Sequence, residues 1–188
     1  MDGECILGDS YVAMATIGAA LVTGVISVVN LTVSKEHKIS ELRQAWIEEV
    51  RKDVAALLSE QSHILNSFTC ANNLGTVNYW DFYSKHIDSM KRINEIHHRI
   101  KMRLNPTEHE IIISLLDDLD RSIVNPNQLS DIAQMTYLFD ELNSLSQDLL
   151  KKEWERVKDG EIGFKKLKRA SLIVTMLALI ATMYINYK

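Results

Sequence analysis

Four histidines in the middle of the chain are the residues best suited by type to bind a metal ion: His86, His97, His98 and His109. Zinc sites usually place His or Cys at helix spacing beside a carboxylate partner, and the sequence contains no HExxH or CxxC pattern. We therefore interpret these histidines as part of a solvated helix face. The sequence predicts neither a metal site nor a cofactor.

An acidic cluster, Asp117, Asp118 and Asp120, could in principle support metal binding or acid-base chemistry. Arg121 adjoins the cluster, and the preceding helix supplies further positive charges that could offset it, namely Arg92, Arg99, Lys101 and Arg103. We interpret the cluster as surface electrostatics between neighbouring helices rather than as a catalytic site.

Nucleophilic and phosphate-binding patterns are also missing from the sequence. Cys70 lies near a predicted turn without a local Cys-His pair, and none of the seven glycines precedes a Lys-Ser or Lys-Thr pair. The chain is therefore not expected to be an enzyme.

One predicted helix carries five positive charges that could contact nucleic acid: Lys91, Arg92, Arg99, Lys101 and Arg103. The whole chain has a net charge of −4, which favours a salt-bridged helix face over an electrostatic footprint for phosphate. We expect no direct binding of nucleic acid.

The elements that carry these residues lie between two uncharged stretches, residues 11–33 and 170–187. As helices they measure roughly 34 Å and 27 Å, against a hydrocarbon core of about 30 Å, so both are predicted to span a membrane. The leader before the first stretch contains acidic residues and no Lys or Arg, which argues against a cleaved signal peptide. With only two Cys and two Pro, the chain is neither a disulfide-stapled nor a Pro-rich protein.

Basic residues next to both stretches predict the orientation. Lys35, Lys38 and Arg43 follow the first stretch, and Lys165, Lys166, Lys168 and Arg169 precede the second. Because positive flanks stay inside, residues 34–169 are predicted to be cytoplasmic, and residues 1–10 and 188 lie outside a bacterial inner membrane. These flanks are also expected to contact membrane lipids.

Small and weakly polar residues recur on one face of each predicted span. The sets are Thr16, Ala20, Thr23, Gly24, Ser27 and Asn30 in the first, and Ser171, Thr175, Ala178 and Thr182 in the second. Packing seams are the favoured interpretation, since small residues allow close approach of helices and no ionisable residue marks an ion route. A water-accessible path in a homo-oligomer is the alternative.

Apolar residues between the spans recur with helical period, which predicts an all-α fold: a transmembrane hairpin of two spans with a cytoplasmic bundle of about four helices. The first bundle helix continues from the first span to about Phe68. The others are predicted over about 79–104, over a short helix that starts at Asn105-Pro106 and ends before Asn125-Pro126, and over about 129–158.

Three strings resemble a family of small, mostly uncharacterised bacterial and prophage-associated membrane proteins with two spans: KISELRQAWIEEVRKDV, RLNPTEHE and LLKKEWERVKDGE. By architecture the chain also looks like two-transmembrane effectors of retron-type anti-phage defence. The resemblance implies no catalytic residues. Two of its motif positions, Asn105 and Pro106, stand at a helix start. The others are interpreted as a network of Arg and Glu residues with two Trp between the first and fourth helices: Arg43, Trp46, Arg51, Glu153, Trp154, Glu155 and Arg156.

Two functions follow as expectations. In the first, the bundle is held quiet by a cytoplasmic protein or nucleoprotein partner, and on release the protein oligomerises and permeabilises the inner membrane in abortive infection. In the second, the protein is a non-enzymatic membrane-anchored scaffold or superinfection-exclusion protein that binds a cytoplasmic partner through its bundle.

Overall fold

A computed structural model describes residues 3–75, 78–159, 166, 169–174 and 176. The described residues contain helices and connecting turns and no strand, so the predicted all-α class is confirmed. The helices are α1 (Gly3–Asn73), α2 (Tyr79–Lys85), α3 (Ile87–Arg103), α4 (Glu110–Ile123), α5 (Pro126–Leu129) and α6 (Ile132–Asp159).

The chain divides into two compact units, which differ in composition. One unit, here called the bundle, is Arg43–Glu155. The other, here called the apolar unit, consists of Met1–Leu42 and Arg156–Lys188. α1 contributes to both units because it runs without a break across residue 42.

The bundle has a core of leucine, isoleucine, valine, methionine and phenylalanine side chains from α1 to α6. Residues at spacings of three and four along one face supply it, as the periodicity predicted, for example Val50, Val54 and Leu57 of α1. Several large apolar residues of these helices are instead exposed: Leu42, Trp80, Ile111, Ile132 and Trp154. Each lies near the end of an element or of the bundle.

Helix boundaries differ from the prediction at three places. The helix predicted over 79–104 is divided at His86, whose N–H bonds to the carbonyls of Phe82 and Tyr83 and whose ring packs 4.4 Å from that of Phe82. The third helix begins at Glu110 rather than at Pro106. Asn105 instead caps a turn, accepting from the N–H groups of Thr107 and Glu108.

The last of these differences is at the start of α6. Pro126 begins the four-residue helix α5, whose first turn is capped by the side chain of Asn125. The fourth predicted helix therefore starts at Ile132 instead of Leu129. There the Asp131 carboxylate accepts from the N–H of Gln134 at 3.0 Å, which satisfies one of the free donors of the first turn.

Candidate functional site

The apolar part of α1 has its described side chains on the outside of the protein. Among the residues that the structure describes, one helix, Gly18–Asn73, is long and apolar enough to cross a membrane, judged by length and composition. Its most apolar 18-residue window has 0% of its residues buried, and Leu31 is 72% exposed. The second predicted span lies mostly outside the described residues; 170–174 and 176 are helical.

Hydroxyl groups within this apolar stretch bond to the backbone of their own helix. Thr23 donates to the carbonyl of Ala19 at 2.8 Å, and Ser27 donates to the carbonyl of Thr23 at 2.9 Å. Thr32 forms the same i−4 bond with Val28 at 2.9 Å. In an apolar environment these hydroxyls would already be hydrogen-bonded, which removes most of the cost of burying a polar group.

Part of the small-residue stripe lies beside the described segment of the second predicted span. A cavity of about 410 Å³ in the apolar unit is lined by Ala20 and Gly24 of α1 and by Ala170, Ser171 and Val174. A Cβ added to Gly24 would meet no atom of the described residues within 4 Å, so there is open space beside this glycine. Thr16 and Asn30 are exposed, whereas Thr175, Ala178 and Thr182 lie outside the described residues.

The basic residues that flank the predicted spans are exposed where the structure describes them, except for Arg43, which is half-buried. Lys35, Lys38, Lys166 and Arg169 are exposed, and Lys165 and Lys168 lie outside the described residues. The Lys38 ammonium is 3.1 Å from Glu41 and lowers the pKa of that carboxyl by hydrogen bonding and by its charge.

A buried carboxylate joins α1 to α3 inside the bundle. Asp53 is 4% exposed and accepts hydrogen bonds from the guanidinium groups of Arg99, at 3.0 Å, and Arg103. The bond to Asp53 raises the pKa of Arg99 above its ordinary range. Arg103 also reaches Glu49 at 3.1 Å, so two helices are joined by a cluster of charge-assisted hydrogen bonds.

The predicted network between the first and fourth helices includes one ion pair that links α1 with α6. The Arg43 guanidinium donates to the buried carboxylate of Glu153. Trp46 instead donates to the carbonyl of Arg103 on α3 at 3.0 Å, and Arg51 pairs with Glu48 of its own helix. The remaining predicted members, Trp154, Glu155 and Arg156, are exposed.

His97 is not on a solvated helix face, which corrects the interpretation from the sequence. It is 4% exposed, and its ring packs in parallel against that of His98 at 5.4 Å between centroids. Nε2 is 3.4 Å from Asp117 and Nδ1 is 3.6 Å from Asp120, and neither nitrogen has a hydrogen-bond partner. His98 is exposed, and His86 and His109 are half-buried.

The basic residues of α3 are divided between two neighbouring helices. Of the four predicted to offset the acidic cluster, Lys101 bonds to Asp117 at 2.7 Å and lowers the pKa of that carboxyl. Arg99 and Arg103 are directed to α1, and so is Arg92, which lies 3.4 Å from Glu60. The acidic cluster is further contacted by Arg121, which pairs with Asp118.

Sequence reasoning missed Asp53, although a signal for it was present. Asp53 and Gln61 stand within a series of apolar residues spaced three or four apart, so both lie on the buried face of α1. A charged residue at such a position needs a partner of opposite charge, and α3 carries the arginines that supply it.

Comparison with known proteins adds no relative. The chain matches no protein-family model, and no curated protein or solved structure is similar to it. Within the described part of the chain, no group of three or more His, Cys, Asp or Glu side chains is placed to hold a metal ion. The candidate features are therefore physical ones: an exposed apolar helix in one unit, and ion pairs between the helices of the other.

Proposed function

We propose that the protein is a two-pass effector in the bacterial inner membrane that serves anti-phage defence by abortive infection. In this proposal residues 11–33 and 170–187 form a hairpin, the middle is cytoplasmic, and both termini are outside. Release by a cytoplasmic protein or nucleoprotein partner allows copies to assemble and permeabilise the membrane. The observation that carries the proposal is the unbroken 71-residue α1, which contains both the exposed apolar stretch and a core helix of the bundle.

Ion pairs with buried carboxylates support a role for α1 in transmitting a signal. The bundle holds α1 through Asp53 on the α3 side and through Arg43 on the α6 side. A partner that loosens either contact changes the packing of α1, and a helix without a break transmits such a change along its length.

The apolar unit has features that suit close association of helices. Ala20 and Gly24 lie four residues apart, as in small-xxx-small helix contacts, and they line a cavity that the described side chains leave open. A second copy that packs against this face would gain van der Waals contact there.

Substitution of two glycines tests this proposal. Gly24→Leu fills the cavity, whereas Gly18→Leu places the same side chain on another face of the same helix, where a Cβ also meets nothing within 4 Å. In induced bacteria, wild-type protein and the Gly18 variant are expected to collapse the signal of a membrane-potential dye, and the Gly24 variant to preserve it. Equal amounts of membrane-inserted protein must be verified by fractionation.

Two outcomes would contradict the proposal. An unchanged potential with abundant wild-type protein in the membrane would rule out permeabilisation. Equal depolarisation by both glycine variants would show that the face of Ala20 and Gly24 takes no part in it.

Thiol labelling tests the orientation separately. Cys70 is exposed and unpaired, so it reacts with any thiol reagent that reaches its side of the membrane. A membrane-impermeant reagent is expected to label Cys5 and spare Cys70 in cells with a permeabilised outer layer, and to label both after lysis. Labelling of Cys70 alone in intact cells would reverse the assignment.

A membrane-anchored scaffold is the second candidate, and the hydroxyl bonds of α1 favour it. Thr23 and Ser27 are bonded within their own helix, so they need no water-filled path to satisfy them. A scaffold should keep its function when both spans are exchanged for unrelated ones, whereas the effector should lose it.

A further inference from the structure

The imidazole of His97 is buried in the bundle, and neither of its ring nitrogens has a hydrogen-bond partner. His97 of α3 is enclosed against α4, where a carboxylate oxygen faces each ring nitrogen: Asp117 at 3.4 Å and Asp120 at 3.6 Å. A neutral imidazole has one N–H donor and one lone pair. At most one of the two carboxylates can therefore accept from it, and the other faces the lone pair.

Adding a proton changes this balance but does not favour the packed state. The imidazolium could donate to both carboxylates, yet Asp117 already accepts from Lys101 at 2.7 Å, and the 3.6 Å separation from Asp120 is longer than a hydrogen bond. The two carboxylates are 35% and 42% exposed, so water screens their attraction. The buried positive charge is thus only partly offset.

We propose that protonation of His97 in acid releases the contact between α3 and α4. Uncharged, the ring packs between the two helices. On taking up a proton it favours an opened arrangement in which the imidazolium reaches water. This switch lies within the bundle and does not require permeabilisation, so it goes beyond the proposed function and can be tested apart from it.

The electrostatics of the site agree with this direction. Burial lowers the pKa of His97 below its ordinary value of 6.5, and Lys101 and His98 act in the same sense, while Asp120 and Asp117 raise it. The opened or unfolded chain therefore binds more protons than the packed one between the lowered pKa and 6.5. Stability from neutral His97 is complete above 6.5 and is lost as the pH falls through the lowered pKa.

Hydrogen exchange of the full-length protein in detergent micelles measures the release. Amides of α3 and α4 that face each other are expected to exchange faster at about pH 5.5 than at about pH 7.5, after correction for intrinsic rates. The opening constant is the ratio of opened to packed molecules. At a pH below both pKa values it exceeds its neutral-pH value about tenfold for each unit by which the pKa of packed His97 lies below that of a free histidine.

Matched variants assign the effect to His97. His97→Gln removes the titrating group and should abolish the pH dependence, whereas His98→Gln removes an adjacent exposed histidine and should leave it intact. Asp120→Asn should enlarge the acid acceleration, since it removes a charge that offsets the imidazolium. This variant retains His97, so it keeps the test valid even if the His97 variant does not fold.

Three results would overturn the proposal. The first is equal exchange of wild-type α3 and α4 at both pH values. The second is slower exchange in acid, which would mean that the imidazolium bridges Asp117 and Asp120 instead. The third is loss of the pH dependence in the His98 variant.

Discussion

Replacing Asp53 by Asn is the sharpest test of how α1 is held in the bundle. The substitution keeps the shape of the side chain and removes its charge, so the packing around it is nearly unchanged. The guanidinium groups of Arg99 and Arg103 then face a neutral amide that can accept from them only weakly and that also presents donors to them.

The magnitude follows from burial and from the partners that remain. Breaking a buried ion pair by removing one charge costs about 3–5 kcal/mol when the other charge stays buried. Arg103 is 25% exposed and keeps Glu49 at 3.1 Å, so part of its charge remains compensated. We therefore expect Asp53→Asn to lower the free energy of unfolding of the bundle by about 2 kcal/mol.

Tryptophan fluorescence reports on this region directly. Trp46 donates from Nε1 to the carbonyl of Arg103 at 3.0 Å, so its emission depends on the same contact between α1 and α3. Replacing the exposed Trp80 and Trp154 by Phe leaves Trp46 as the single reporter. Denaturant titrations of the full chain in detergent then give the change in midpoint.

The matched control is Glu48→Gln, which removes an exposed charge from the same helix. Glu48 pairs with Arg51 where the two side chains are 67% and 56% exposed, and such surface pairs contribute about 0–1 kcal/mol. The reasoning is refuted if Asp53→Asn and Glu48→Gln shift the unfolding midpoint equally, or if Asp53→Asn stabilises the bundle.

Three further substitutions, two of them with a control variant, test the packing and turns with the same titration. Leu119→Ala, at a fully buried position, should cost about 2–5 kcal/mol, whereas Leu42→Ala, at a position 61% exposed, should change stability little; equal effects would contradict the core assignment. Gly75→Ala should cost about 1 kcal/mol, because Gly75 has a φ of +65°, and an unchanged midpoint would show that this turn relaxes freely. Asn125→Ala should cost about 1 kcal/mol through loss of the cap on α5, while Asn127→Ala beside it should not.

The all-helical class could be predicted because the apolar residues repeat at helical spacing over most of the bundle. The continuity of α1 was also predictable, since no Pro or Gly occurs between Gly24 and Gly75. The division at His86 could not be predicted, because it involves the packing of the His86 and Phe82 rings rather than a helix-breaking residue. The start of α6 had a signal, an Asp with Gln three residues later, that the Asn125-Pro126 pair obscured.

In the candidate site, the sequence could predict only properties that depend on a single residue, such as the exposure of a charged side chain. A Lys or Arg beside an apolar stretch is expected to be exposed, and the described lysines there and Arg169 are exposed, whereas Arg43 is half-buried and paired with Glu153. Partners across helices depend on rotation about each helix axis, which the sequence does not fix. Thus the periodicity could not show that Arg99 and Arg103 are directed to α1 while Lys101 is directed to α4.

The hydroxyl bonds along the apolar stretch of α1 affect how this helix can exchange neighbours. A helix whose polar atoms depend on a partner loses those bonds whenever the partner leaves, so its assemblies are slow to rearrange. Thr23, Ser27 and Thr32 keep their bonds whichever surface faces them. If the stretch moved between lipid and protein surroundings, these three hydroxyls would therefore add little polar barrier of their own.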